Sequence, residues 1–219
     1  TERGANPVIE VYPTGDLKAV PFRVDADPME IVEIKWVDDS NLIFLARQQV
    51  RKMVDGFNEG VYEFRIALVD LEERKIHGFN ERDPSLVSTL PDKKNKILIS
   101  FAEGTRGGVG AKLQEAFRPR AYWEFDLNTG SKKLLIRGKI LLGNIDFDGD
   151  GNPALARGFD LASREYLWFW RPENTGEWKE FYRQSEDAFE EFRVFGLDPQ
   201  VPGNLIVEAN RNANTSGLW

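Results

Sequence analysis

The chain has 219 residues, with 36 acidic and 29 basic side chains, a formal charge of −7, six Trp, one His and no Cys. The acidic balance argues against a nucleic-acid backbone as partner, which demands clustered Lys and Arg. The lack of cysteine excludes disulfides, thiolate catalysis and cysteine zinc sites, and no apolar run reaches the roughly 20 residues needed to span a bilayer as a helix.

Taken in order, the first ordered element is expected at residues 8–22. Val8-Ile9-Glu10-Val11-Tyr12 reads as a strand, Pro13-Thr14-Gly15-Asp16 as a turn, and Leu17 onward as the return strand, with 24–28 a connector. Residues 31–36 and 42–45 form a second kind of hairpin around Val37-Asp38-Asp39-Ser40-Asn41, whose second strand runs on through Arg47 and Arg51. Ile66-Ala67-Leu68-Val69-Asp70-Leu71 then turns at Glu72-Glu73 into Lys75-Ile76. The same two hairpins recur at 86–101 and 122–137, and again at 141–156 and 166–182. A last copy of the first kind lies at 192–207. In Tyr122-Trp123-Glu124-Phe125-Asp126, strand alternation sets Trp123 and Phe125 on one face and Glu124 on the other.

The repeat is regular. Tyr12, Val69, Phe125 and Trp170 are spaced by 57, 56 and 45 residues, and the turn aspartates Asp38, Asp92, Asp148 and Asp198 by 54, 56 and 50. Two interleaved hairpins per period make a four-stranded unit, the signature of a β-propeller blade. A sandwich or barrel accounts for evenly spaced strands but not for the paired turn registers. The expectation is an all-β partial β-propeller of about four blades in one domain, 1–219. Blades are expected at roughly 8–22, 29–80, 84–138, 139–184 and 190–219, the first and last incomplete. An incomplete blade exposes an unpaired strand edge. Three arrangements would answer that: a composite blade from the two ends, an edge-to-edge homodimer, or a longer parent chain, which is favoured. No basic leader with an apolar core opens the chain, so any signal peptide is expected to have been removed; bacterial periplasm and cytoplasm both stay open.

Few residues suggest chemistry. Asp146, Asp148, Asp150 and Gly151 match the first half of a calcium loop, but Arg157 stands where the closing Glu belongs. The loop therefore reads as a tight turn rather than a metal site. His77 falls on a rim strand without a nucleophile elbow, since G-x-S-x-G does not occur. The glycine run at 104–110 meets neither phosphate-loop pattern and reads as a loop. Glu190-Glu191 are expected on opposite faces of a strand, not as a glycosidase pair. Arg47, Arg51 and Lys52 share one stretch that would suit an anion such as a peptide carboxylate, or else extend a solvated strand. No catalytic residue and no cofactor is expected.

Gly56-Phe57-Asn58-Glu59-Gly60-Val61-Tyr62-Glu63 with Arg65-Ile66-Ala67-Leu68-Val69-Asp70 resembles part of the propeller of bacterial prolyl oligopeptidase family serine peptidases. So do Trp178-Lys179-Glu180 through Tyr182-Arg183-Gln184-Ser185-Glu186-Asp187, Asn204-Leu205-Ile206-Val207 and Ser216-Gly217-Leu218-Trp219. The likeness is diffuse and rests on blade patterning. It implies a propeller that caps a C-terminal α/β-hydrolase domain, limits access to short peptides and helps line their cavity, the catalytic residues lying in the hydrolase. No stretch here matches that hydrolase, nor the paired-glutamate amine anchor of the dipeptidyl-peptidase branch. A stand-alone interaction scaffold and a propeller carbohydrate enzyme stay open beside this reading.

Overall fold

A computed structural model describes residues 7–51, 61–79, 81, 84–102, 119–139, 141–172, 176–188, 192–198, 200–201, 204–210 and 217–218. Among them there is no helix. Seventeen strands follow one another: β1 (Val8–Val11), β2 (Phe22–Asp25), β3 (Glu30–Trp36), β4 (Asn41–Arg51), β5 (Val61–Asp70), β6 (Lys75–Gly78), β7 (Ser85–Ser88), β8 (Lys96–Ala102) and β9 (Arg120–Asp126). They continue with β10 (Lys132–Arg137), β11 (Asn144–Phe147), β12 (Pro153–Asp160), β13 (Glu165–Trp170), β14 (Lys179–Ser185), β15 (Phe192–Leu197), β16 (Leu205–Ala209) and β17 (Gly217–Leu218). Each pairs with its sequence neighbour. The sheets run β3-β4-β5-β6, β7-β8-β9-β10 and β11-β12-β13-β14, with a pair β1-β2 and a trio β15-β16-β17. Four-stranded up-and-down sheets of this kind are propeller blades, and the all-β propeller class expected from the repeat is what the structure shows.

The chain divides into two compact units. One holds residues 1–102 and 125–132, the other 103–124 and 133–219, so the division falls within the β7–β10 sheet.

In the first unit the middle strands carry the core. Along β8, Ile97, Leu98, Ile99 and Ser100 are each at most 3% exposed, and along β4 Leu42 and Ile43 are 1% and 2%. Neighbours in a strand point to opposite faces, so burial of consecutive residues means that both faces are covered. The packing shows by what. Leu42, Phe44, Ala46, Ala67 and Val69, on one face of β4 and β5, cluster with Ile9 of β1 and Val24 of β2. Ile43, Ile66 and Leu68, on the other face, cluster with Phe79, Ile97, Ile99 and Phe125. The β3–β6 sheet is thus packed between its predecessor and its successor, each buried aliphatic contributing about 1.5–3 kcal/mol. Outer strands differ: every residue of β6 is exposed.

Along β9 the expected alternation holds. Glu124 does face away from Trp123 and Phe125, yet it is only 9% exposed, because Tyr122 beside it is 4% exposed and its face is covered too. One expectation is revised, that of the first hairpin. Its return strand is β2, with Val8 opposite Asp25 and Val11 opposite Phe22, not the segment from Leu17. That segment is taken up by successive turns, in which the Asp16 and Ala19 amides donate to the carbonyls of Pro13 and Asp16. Leu17 and Val20, 73% and 90% exposed, have no apolar surface to cover.

Turn chemistry recurs as well, at the β5–β6, β9–β10 and β12–β13 turns. Asp70-Leu71-Glu72-Glu73-Arg74, Asp126-Leu127-Asn128-Thr129-Gly130 and Asp160-Leu161-Ala162-Ser163-Arg164 each open on an Asp whose carboxylate accepts a main-chain N–H three residues on. The fifth residue of each, Arg74, Gly130 or Arg164, has φ of +55° to +68°. This left-handed residue closes a three-to-five-residue hairpin. At the other hairpin type, Asp38, Asp148 and Asp198 accept the amides of Ser40, Asn152 and Gln200.

Hydrogen bonds from the Thr129 amide and then its hydroxyl hold the Asp126 carboxyl below the usual range. A carboxyl depressed in the folded state contributes stability above its unfolded pKa, and that contribution is lost as pH falls through the folded value. Asp126→Ala is therefore expected to lower Tm at pH 7, with the gap to the parent protein closing below about pH 4. Thermal melts of both proteins from pH 2 to 7 check this; a gap that stays constant across the range contradicts it.

In the second unit, Tyr122 ties two elements together. Its hydroxyl donates to the Gly143 carbonyl at 3.3 Å and accepts the Ile145 amide at 3.0 Å. Burial pushes its pKa up. Among the described residues no helix is long and apolar enough to cross a membrane.

Candidate functional site

The second unit contains a cavity of about 220 Å³, lined chiefly by Asp146, Arg157, Trp168, Phe181, Phe192 and Arg193. Sheet register assembles it. Asn144 lies opposite Arg157, Arg157 opposite Trp168, and Trp168 opposite Tyr182, so one cross-strand row runs through β11, β12, β13 and β14. Directly opposed side chains on one sheet face touch. From the next sheet, Phe192 of β15 stacks on Tyr182 with centroids 3.7 Å apart and meets Trp168 edge-on at 5.2 Å.

Arg157 is clamped within this row. Its guanidinium lies 5.2 Å from the Tyr166 ring centroid and 6.0 Å from that of Trp168. Cation–π attraction of this kind contributes about 0.5–1 kcal/mol at an exposed site. It draws the guanidinium toward the ring faces of β13. Among the described residues the Arg157 guanidinium makes no side-chain hydrogen bond or ion pair, although the Asp146 carboxylate is near enough to feel its charge. Arg193 lies 4.8 Å over the Phe195 ring and likewise keeps its donors. Asp146, on β11, retains contact with water, yet crowding by its neighbours desolvates the carboxyl enough to raise its pKa, while Arg157 pulls it down. Water still reaches the carboxylate and screens its charge.

The residues singled out in the sequence fare differently. Arg47, on β4, forms a 2.8 Å ion pair with Glu30 across the strands and lies 5.0 Å over Tyr62. The Glu30 hydrogen bond and charge raise its pKa, so its charge is already matched. Arg51 ends β4 opposite Val61; Lys52 lies outside the described residues. Asp148 is occupied by its own turn, accepting both the amide and the side-chain amide of Asn152. Asp150 is exposed in the same turn, while Asp146 sits on the strand. No group of three His, Cys, Asp or Glu among the described residues is placed to hold a metal ion. His77 is exposed on β6 opposite Leu68. The 104–110 run and Glu190-Glu191 lie outside the described residues.

In the first unit a wider depression of about 730 Å³ lies among hairpin turns, beside Asp38, Asp70, Glu72 and Lys93. Two of its carboxylates, Asp38 and Asp70, cap their own turns.

Arg157 entered the sequence reading only as the wrong residue to close a calcium loop. The signal that marks it is positional: it is the one charged side chain between Leu155 and Phe159 on a strand that is otherwise apolar or small from Ala154 to Phe159.

No protein-family model matches the chain, and no curated protein matches its sequence. Among solved structures, it is similar to the β-propeller domain of the trilobed protease from Pyrococcus furiosus, at 14% identity and a TM-score of 0.45, over 90% of this chain and 58% of that one. It is similar at 13% identity and a TM-score of 0.46 to an acylaminoacyl peptidase in complex with Z-Gly-Gly-Phe-chloromethyl ketone, over 87% of this chain and 32% of that one. The acylaminoacyl peptidase of Pyrococcus horikoshii gives the same identity, TM-score and coverage. The chain thus spans less than two thirds of the length of each.

Proposed function

We propose that this chain is a non-catalytic propeller segment of a serine peptidase of the prolyl oligopeptidase family, where it gates access to a peptide-binding cavity and forms part of its wall. The observation that carries the reading is where the residues of the family likeness lie. Val61 to Asp70 is the whole of β5, Lys179 to Ser185 the whole of β14, and Leu205 to Val207 lies in β16. Each belongs to a strand of an antiparallel sheet, so much of the likeness lies on framework; Gly56 to Gly60, Ser216 and Trp219 lie outside the described residues. The chemistry of the described residues is compatible with this role. The sole histidine is an exposed strand residue, and among the described residues no hydrogen bond or ion pair joins it to a serine or a carboxylate, as acyl transfer by a serine requires.

The gene tests this most simply. A reading frame that continues into an α/β-hydrolase bearing G-x-S-x-G supports the proposal, and a stop codon just after Trp219 supports a stand-alone interaction scaffold instead. The protein supplies a second arm. The purified chain is expected to give no turnover of short peptide anilides, and hydrolysis that a serine-directed phosphonate abolishes would end this reading.

A further inference from the structure

We infer that the cavity between Arg157 and Phe192 is a binding site for a small aromatic carboxylate, the acid group held by the Arg157 guanidinium and the ring lodged against Trp168, Phe181 and Phe192. The inference is independent of the peptidase proposal, since the cavity lies wholly within the second unit and needs no further domain.

Three observations carry it. The first is size. Water occupies about 30 Å³, so a cavity of 220 Å³ holds on the order of seven waters, room for a small organic acid and too little for a peptide chain. The second is preorganisation. The Tyr166 and Trp168 rings lie 5.2 and 6.0 Å from the Arg157 guanidinium, and among the described residues no side chain accepts a hydrogen bond from it. A planar fork with free parallel N–H groups matches a carboxylate bidentately, a geometry that an ammonium cannot supply. The third is charge. Among the described residues the charged side chains lining the cavity are Arg157, Arg193 and Asp146, two cations against one carboxylate. The surplus favours an anion even though the chain as a whole carries −7. The apolar lining, from Trp168, Phe181, Phe192, Leu155 and Val194, asks for a flat apolar body behind the acid group.

Benzoate is the probe, with benzamide and benzylamine as its neutral and cationic counterparts, followed by calorimetry and by tryptophan fluorescence. Saturable benzoate binding is expected with a Kd of about 1 mM or tighter, which is within reach of a ligand of this size. Benzamide should bind more weakly and benzylamine not at all. Arg157→Gln should weaken benzoate by at least about tenfold, the loss of one charge-assisted hydrogen-bond pair. Arg157→Lys should retain part of the binding, and Asp146→Asn should tighten it a few-fold. Arg193→Gln provides a second cation variant should Arg157→Gln fail to fold, and should weaken benzoate through charge alone. Absence of saturable benzoate binding at 10 mM (roughly tenfold above the expected Kd) overturns the inference. So does preference for benzylamine, or affinity unchanged in Arg157→Gln and Arg193→Gln.

Discussion

Replacing Gly158 with alanine is expected to destabilise the protein by about 3 kcal/mol, the upper end of what overpacking costs. For a chain of this length that corresponds to a fall in Tm of roughly 6–12 °C. Gly158 lies in the middle of β12, opposite Leu167 of β13. A Cβ built there would collide with the main-chain carbonyl and Cα of Leu141. Relief demands movement of backbone, because no flexible side chain stands in the way. The Gly143 amide, two residues after Leu141, donates to Arg157, the residue before Gly158, so the two segments are fastened together at the point of collision. Gly78→Ala is the control. An added Cβ at Gly78 meets nothing within 4 Å, and its strand is an exposed edge. Its effect should stay within about 0.5 kcal/mol. Urea denaturation of the three proteins checks the pair; equal midpoints for the two variants contradict the packing described for β12.

Phe125→Ala is expected to cost about 3–5 kcal/mol, the range for removing a buried phenyl ring. Phe125 is 7% exposed and meets Phe79 edge-on, centroids 4.5 Å apart at 89°. Around the pair stand Ile43, Ile66, Ile97 and Ile99, which belong to two successive sheets. Truncation therefore opens a void between sheets, where neither can collapse without losing strand pairing. Leu17→Ala, at a residue 73% exposed, should leave the midpoint within about 0.5 kcal/mol. Denaturant midpoints decide the matter, and a Phe125→Ala loss no larger than that of Leu17→Ala would contradict the packing of one sheet on the next.

Much of the fold was legible because strand period and turn chemistry agree. The recurrence of Asp38, Asp148 and Asp198 reflects one repeated use, a carboxylate capping the hairpin's own amides. A second turn signal does not follow that spacing: the Asp-Leu pair that opens the turns at Asp70, Asp126 and Asp160. It went unread because the left-handed fifth residue is Gly in only one case and Arg in the other two. An Arg at positive φ leaves no compositional mark. The first hairpin was misplaced for a related reason. Pro13-Thr14-Gly15-Asp16 is good turn chemistry, but two turns follow one another there, and only the exposure of Leu17 and Val20 reveals that no strand begins between them.

The site was less legible than the fold. For Arg47 an anion site and a solvated strand extension both stayed open, because sequence does not disclose its cross-strand partner Glu30. Asp146, Asp148 and Asp150 read as a turn rather than a metal site, but spacing alone did not say that Asp146 lies on a strand while Asp148 caps the turn. Arg157 gains its meaning from Tyr166 and Trp168, nine and eleven residues away, through a register that periodicity fixes only after the hairpin between them is known.

The central claim is that the β3–β6 sheet is buried on both faces, by the sheet before it in the chain and the sheet after it. Methyl-to-methyl nuclear Overhauser effects test this directly. Leu42 and Val69 should show contacts to Ile9 and Val24, while Ile43, Ile66 and Leu68 show contacts to Ile97 and Ile99. Both sets observed together, with no exchange of partners between them, is the expected result. Loss of either set, or contacts from Leu42 and Val69 to Ile97 and Ile99, would contradict it.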